Sequence, residues 1–188
     1  MKKKQLIAIV EGGIMIALAY LLSILKVWEM PQGGSITLAC LPLIVYAYRR
    51  GFLNGLTAST AFAVLHFALD PYRSFHPVSI LFDYLLACAV LSLMGVKANE
   101  NTIINSVKII FIYLVKYIFA VLSGVIVFYS YAPGFASGES ATLGEALKNT
   151  GVWLYSAGYN SYLFAEMAVM VILFGILRKA VLTRFKVT

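Results

Sequence analysis

The stretch IIFIYLVKYIFAVLSGVIVFYSY, Ile109 to Tyr131, decides what kind of protein this is. It runs for 23 residues and carries one charge, Lys116. About 20 apolar residues, each rising ~1.5 Å, cross the ~30 Å hydrocarbon core of a bilayer, so the stretch reads as a membrane-spanning helix. Lys116 lies well inside it, where a lysine costs roughly 2.5–3.5 kcal/mol on insertion scales. A lysine so placed snorkels, pairs with a carboxylate or serves a ligand.

The rest of the chain has the same character. Of 188 residues, 61% are hydrophobic and 12% charged, with a mean hydropathy of +0.87. A soluble domain of this size has no interior large enough for that much apolar surface. Long uncharged runs favour helices over the alternating strands of a β-barrel. The expected fold is an all-α integral membrane protein, one membrane domain over residues 1–188. Six transmembrane helices are expected, at about 5–27, 36–49, 52–69, 77–97, 108–131 and 152–179. The segment WEMPQGGSIT, with Pro31, Gly33 and Gly34, reads as a loop, placed at 28–35. A short surface helix is expected at Leu143–Asn149. The start MKKKQLIAIVEGG is positive but has no small-residue cleavage site, so it reads as a first helix that stays.

Charge sets the orientation. The net charge of +7 does not point to nucleic acid, because the basic residues sit at the ends of apolar runs. Six crossings put both termini on one side. Assigning that side as cytoplasmic places Lys2, Lys3, Lys4, Arg49, Arg50, Lys97, Lys108, Arg178, Lys179, Arg184 and Lys186 there, 11 of the 15 basic residues. Cys40 and Cys88 both fall in apolar runs and read as small core residues.

Several polar residues need a reason. Asp83 and Lys116 lie in neighbouring expected helices. They form either a structural ion pair or part of a ligand site. Lys116, Ala120, Gly124 and Phe128 are spaced by four and share a stripe that drifts about 40° per step. Above the charge this stripe offers space and then an aromatic ring, which suits a flat polar heterocycle. Close packing of another helix on Gly124 is the plainer alternative. Tyr155 and Asn160 are five apart, about 140° around an ideal helix, and share a site only if the helix is irregular there. Glu166 has no partner that the pattern identifies. Gly13 and Ala17 form a small-residue pair suited to close helix approach, either inside the bundle or with a partner. There is no P-loop, no histidine–cysteine set at metal spacing and no nucleophile motif, so neither an enzyme nor a metal protein is expected.

The segments MPQGGSIT at 30–37, LPLIVYAYRRG at 41–51, HPVSILFDY at 76–84, KYIFAVLSG at 116–124 and WLYSAGYN at 153–160 carry a resemblance. In order and spacing they resemble the thiamin-specific substrate-binding subunit, or S component, of energy-coupling factor (ECF) transporters. The resemblance implies a multi-pass protein of the bacterial cell membrane that captures thiamin from outside with high affinity. It implies association with a transmembrane coupling subunit and two ATPase subunits on other chains, and no cofactor. It implies that Asp83, Tyr84, Lys116, Gly124, Phe128, Tyr155 and Asn160 contact the ligand. It also implies that the 28–35 loop, with Gly33, Gly34 and Ser35, acts as a lid and that Gly13 and Ala17 meet the coupling subunit. On this reading Lys116 keeps Asp83 charged and aimed. Two departures stand out: Ala120 where some members carry histidine, and Phe128 where some carry tryptophan. Both reduce stacking on a cation, an interaction worth roughly 0.5–2 kcal/mol. The alternatives are an S component for another vitamin, such as riboflavin, and a non-transport structural bundle.

Overall fold

The computed structural model describes residues 3–31, 33–70, 73–97, 100–133 and 142–184, with side chains described as far as residue 177. The basic residues Lys2, Arg178, Lys179, Arg184 and Lys186, which entered the orientation argument, have side chains outside that range.

The apolar runs fold as helices around the shortest of them. The elements are α1 (Lys3–Ile24), α2 (Cys40–Arg50), α3 (Phe52–Leu69), α4 (Pro77–Gly95), α5 (Thr102–Val127), α6 (Leu143–Lys148), α7 (Thr150–Tyr159) and α8 (Tyr162–Arg184). Among the described residues, five helical stretches are long and apolar enough to cross a membrane: α1, α3, α4, α5 and α7 with α8 taken together. The expected helix at 36–49 is the exception. It forms as α2, 11 residues long and therefore about 16 Å. Every residue from Cys40 to Tyr48 is buried, as befits a helix that is apolar on all sides. Around it pack α1, α3 and the second half of α4. Tyr46 Oη donates to Ala8 O at 2.8 Å, and Gly12 lets that ring lie against α1.

The outward faces follow helical spacing. On α5, Ile103, Val107, Phe111, Leu114 and Ile118 are all exposed, whereas Ile109, Ile112 and Tyr113 are buried. In water such a stripe would be costly; facing lipid it needs no cover.

Several boundaries differ from expectation for local reasons. α1 ends at Ile24, before the Lys26–Glu29 ion pair. α5 starts at Thr102 rather than near 108, because Asn101 caps it by accepting from Ile103 N at 2.8 Å. It ends at Val127, and Tyr129–Tyr131 forms a 3₁₀ turn. The expected loop at 28–35 contains a small hairpin: Trp28–Glu29 pairs antiparallel with Ser35–Ile36. Gly33 and Gly34 turn it with φ of 95° and 85°, the left-handed region that glycine tolerates. α4 is not a uniform α-helix. Residues Ile80–Leu86 form a π-helical segment and Val90–Gly95 a 3₁₀ end. The short surface helix forms as α6, with a capping box between Thr142 and Glu145. The last expected helix, 152–179, is split into α7 and α8 by a turn at Asn160–Ser161.

Candidate functional site

One cavity, of about 260 Å³, collects the polar residues that the sequence singled out. Asp83, Tyr84, Lys116, Gly124, Phe128, Tyr155 and Asn160 all line it, as do Gly33, Gly34 and Ser35 of the hairpin. Three local irregularities bring them together. The π-helical segment presents both Asp83 and its neighbour Tyr84 to the cavity. The turn at Asn160 lets that residue and Tyr155, on different faces of an ideal helix, line one wall. The hairpin closes over the top: Tyr159 Oη donates to Gly33 O at 2.8 Å.

Asp83 is held by neutral donors. The hydroxyls of Ser79 and Ser123 each donate to its Oδ2 at 2.6 Å. The Oδ1 atom is left uncommitted, an acceptor pre-aimed by its own carboxylate plane. The expected Asp83–Lys116 pair does not form. Lys116 instead turns to the cavity floor, where its ammonium donates to Cys40 Sγ at 3.2 Å and lies 4.9 Å from the centre of the Tyr113 ring. Tyr113 Oη donates in turn to Glu166 Oε1 at 3.1 Å. Tyr113 therefore stands between the buried ammonium and the buried carboxylate, touching both. Glu166, which the sequence left without a partner, belongs to this floor. The correction has a geometric reason: the Lys116 side chain runs to Cys40 and the Tyr113 ring, away from Asp83, whose Oδ2 is held by two serine hydroxyls instead.

Gly124 serves two purposes. It lines the cavity, yet a Cβ there would run into the Ser156 side chain of α7. Close helix packing, the plainer alternative, is thus real. Ser156 Oγ donates to Val121 O at 2.9 Å and fixes the contact. Asn160 Nδ2 donates to Ser156 O at 2.9 Å and Ala120 O at 3.4 Å, which leaves Oδ1 as its open acceptor. Phe128 closes α5 and tilts against Tyr131, ring centres 6.2 Å apart.

Some residues of the cavity escaped the sequence reading. Asp70 accepts from Tyr84 Oη at 2.7 Å and so orients that phenol. His66 lies 5.8 Å from the Tyr84 ring and 5.4 Å from Phe62. The one signal for Asp70 was its place in a short loop between two apolar runs. Taken together, the formally charged groups of the wall are Lys26 and Lys116 against Glu29, Asp70, Asp83 and Glu166. Two cations face four carboxylates, in a chain whose net charge is +7. The cavity is anionic and rimmed by aromatic rings, a place for a flat cation.

Gly13 and Ala17 lie elsewhere, on the exposed side of α1. A Cβ on Gly13 would meet nothing within 4 Å. The small-residue pair does not pack inside the chain.

Comparison with known proteins agrees with this geometry. Residues 9–186 match the model of the family described as "Thiamine transporter protein". The chain is 31% identical over 174 residues to the thiamine transporter ThiT of Bacillus subtilis (strain 168), covering 85% of this chain and 83% of that one. It also superposes on the solved structure of ThiT from Listeria monocytogenes with a TM-score of 0.74 at 25% identity, covering 95% of this chain and 96% of that one.

Proposed function

The chain belongs to the thiamine transporter protein family, and from that premise we propose that it is the thiamin-binding S component of an ECF-type uptake system. It is a multi-pass protein of a bacterial cell membrane. The observation that carries the reading is the anionic, ring-lined cavity in an otherwise cationic chain. Thiamin is a permanent cation with a flat aminopyrimidine. Its charge suits a wall with two excess carboxylates, and its ring nitrogens and amino group suit open acceptors.

In this proposal Asp83 Oδ1 and Asn160 Oδ1 take the aminopyrimidine, with Tyr155 beside it. Tyr84, oriented by Asp70, and Phe128 supply faces for the thiazolium, and Gly124 leaves the room between them. Lys116 keeps the floor polar together with Cys40, Tyr113 and Glu166. The hairpin, with Gly33, Gly34 and Ser35, is the lid, and the Tyr159–Gly33 hydrogen bond is its catch. Six crossings, with α2 as the second, put both termini in the cytoplasm and open the cavity outward. The exposed pair Gly13 and Ala17 meets a transmembrane coupling subunit, and two ATPase subunits on other chains supply the energy. The chain itself is not an enzyme, and residues 1–188 form one membrane domain.

Titration of the purified protein with thiamin, pyrithiamin and riboflavin, read by the fluorescence of Trp28 and Trp153, tests the specificity. Tight binding of thiamin with none of riboflavin is the expected result. Tight binding of riboflavin without thiamin would reassign the vitamin, and no binding of any would leave a structural bundle. The structural alternative rested on an Asp83–Lys116 pair, and these two groups have other partners.

A further inference from the structure

A second concave feature lies at the other end of α1. Ala8 and Ser23 mark the two ends and are 15 residues apart, about 22 Å along the helix. This cleft is lined by Lys4, Gln5, Ala8 and Ile9 of α1 and by Arg49, Arg50 and Asn54 at the α2–α3 corner. Three of its seven lining residues are cationic and none is acidic.

Its arginines are pre-set. Glu11, next to the cleft, accepts from Arg50 Nε at 2.7 Å and from Arg50 Nη2 through Oε2, and its Oε1 forms an ion pair with Arg49, 2.9 Å from Nε but without hydrogen-bond geometry. One carboxylate thus serves two guanidinium groups, and with Lys4 the cluster keeps an excess of two positive charges. The arginine side chains are each only 13% exposed, so their planes are fixed before any ligand arrives. Arg50 commits Nε and Nη2 to Glu11 and leaves Nη1 open. A fixed guanidinium with an open edge matches a phosphate. Orientation by positive charge alone would need neither a cleft nor an acid buried beside it.

On the α1 side the cleft borders an exposed apolar strip through Ile9. Ile9 is 60% exposed, between Leu6 at 50% and Val10 at 55%, and the strip continues along α1 toward the membrane interior. A soluble anion has no use for such a strip, whereas an acyl chain does.

We propose that this cleft binds the phosphate of an anionic phospholipid, with the headgroup on Lys4, Arg49 and Arg50 and an acyl chain along Leu6, Ile9 and Val10. The ligand is a phosphodiester that carries net negative charge, drawn from the leaflet with which the cleft is level.

The test uses the full-length protein in nanodiscs of phosphatidylcholine with a minor fraction of phosphatidylglycerol. Lipids retained after gentle extraction are counted by native mass spectrometry. Phosphatidylglycerol is expected to be enriched at least tenfold over its share of the disc. The double variant Lys4→Gln with Asn54→Leu, which leaves the Glu11 clasp untouched, is expected to lose most of that enrichment and to bind thiamin as before. Arg50→Gln is expected to abolish it, and its thiamin titration reports whether it has folded. Equal retention of both lipids by the wild type, or unchanged enrichment in the double variant, overturns the proposal. Displacement of the lipid by millimolar inorganic phosphate would also overturn it, since the occupant would then be a soluble phosphate.

Discussion

The two ends of the molecule treat charge in opposite ways. In the ring-lined cavity the key carboxylate, Asp83, is held by neutral serine hydroxyls, and its second oxygen stays open. At the other end of α1 the key carboxylate, Glu11, is taken up by two arginines. A charge held by neutral donors keeps its field for a ligand. A charge held by opposite charges is spent on joining helices. The contrast separates binding from fastening, although both sites are acids inside apolar helices and look alike in a sequence.

Substitutions can break the contrast at either end. Glu11→Ala is expected to have the largest effect, on stability. It strands two guanidinium groups between α1 and α2, and breaking one partner of a buried pair costs about 3–5 kcal/mol. Thermal unfolding in detergent should show a clear drop in Tm, with the affinity of the folded fraction for thiamin unchanged. Asp83→Asn should do the reverse. Thiamin affinity should fall tenfold or more, about 1.4 kcal/mol, with Tm hardly moved. If Asp83→Asn lowers Tm and spares affinity, the carboxylate is a fastener after all.

Smaller changes sharpen the picture of the cavity. Tyr159→Phe removes the bond to Gly33 and should weaken retention by about 1 kcal/mol, read as faster thiamin release in stopped flow with little change in association. An unchanged release rate would mean that the hairpin does not latch through this contact. Phe128→Trp should tighten binding by several tenths of a kcal/mol, since tryptophan gives the better face for a cation. Calorimetry would detect it, and a loss of affinity would place the cation away from Phe128.

Most of the helices were legible because lipid imposes long apolar runs. The third, 52–69, falls where composition put it. The hairpin was not legible, since two-residue strands have no periodicity and Pro31 with Gly33–Gly34 reads simply as a break. The π-helical segment was not legible either, because nothing in ILFDYLL distinguishes it from an α-helix. The site shows the same division. The i+4 stripe from Lys116 to Phe128 placed four lining residues correctly, because spacing on one helix fixes a face. The Asp83–Lys116 pair failed because pairing between helices depends on where each side chain points in three dimensions, and the sequence does not show that Lys116 turns to Cys40 or that Ser79 and Ser123 reach Asp83. Asp70 and Glu166 were missed as site residues for the same reason: each acquires its role from a tyrosine on another helix.

The length of α2 has one more consequence. One end of this helix, Cys40, forms part of the cavity floor, and the other, Arg49–Arg50, reaches the cationic cleft. The protein that separates the cavity from the cationic cleft is therefore one short helix long, about 16 Å, against ~30 Å for an intact hydrocarbon core. A plug of packed side chains fills that interval, Leu43, Ile44 and Ala47 among them, each at most 1% exposed. Any path from the cavity to the cleft runs through that plug, and its length is that of α2.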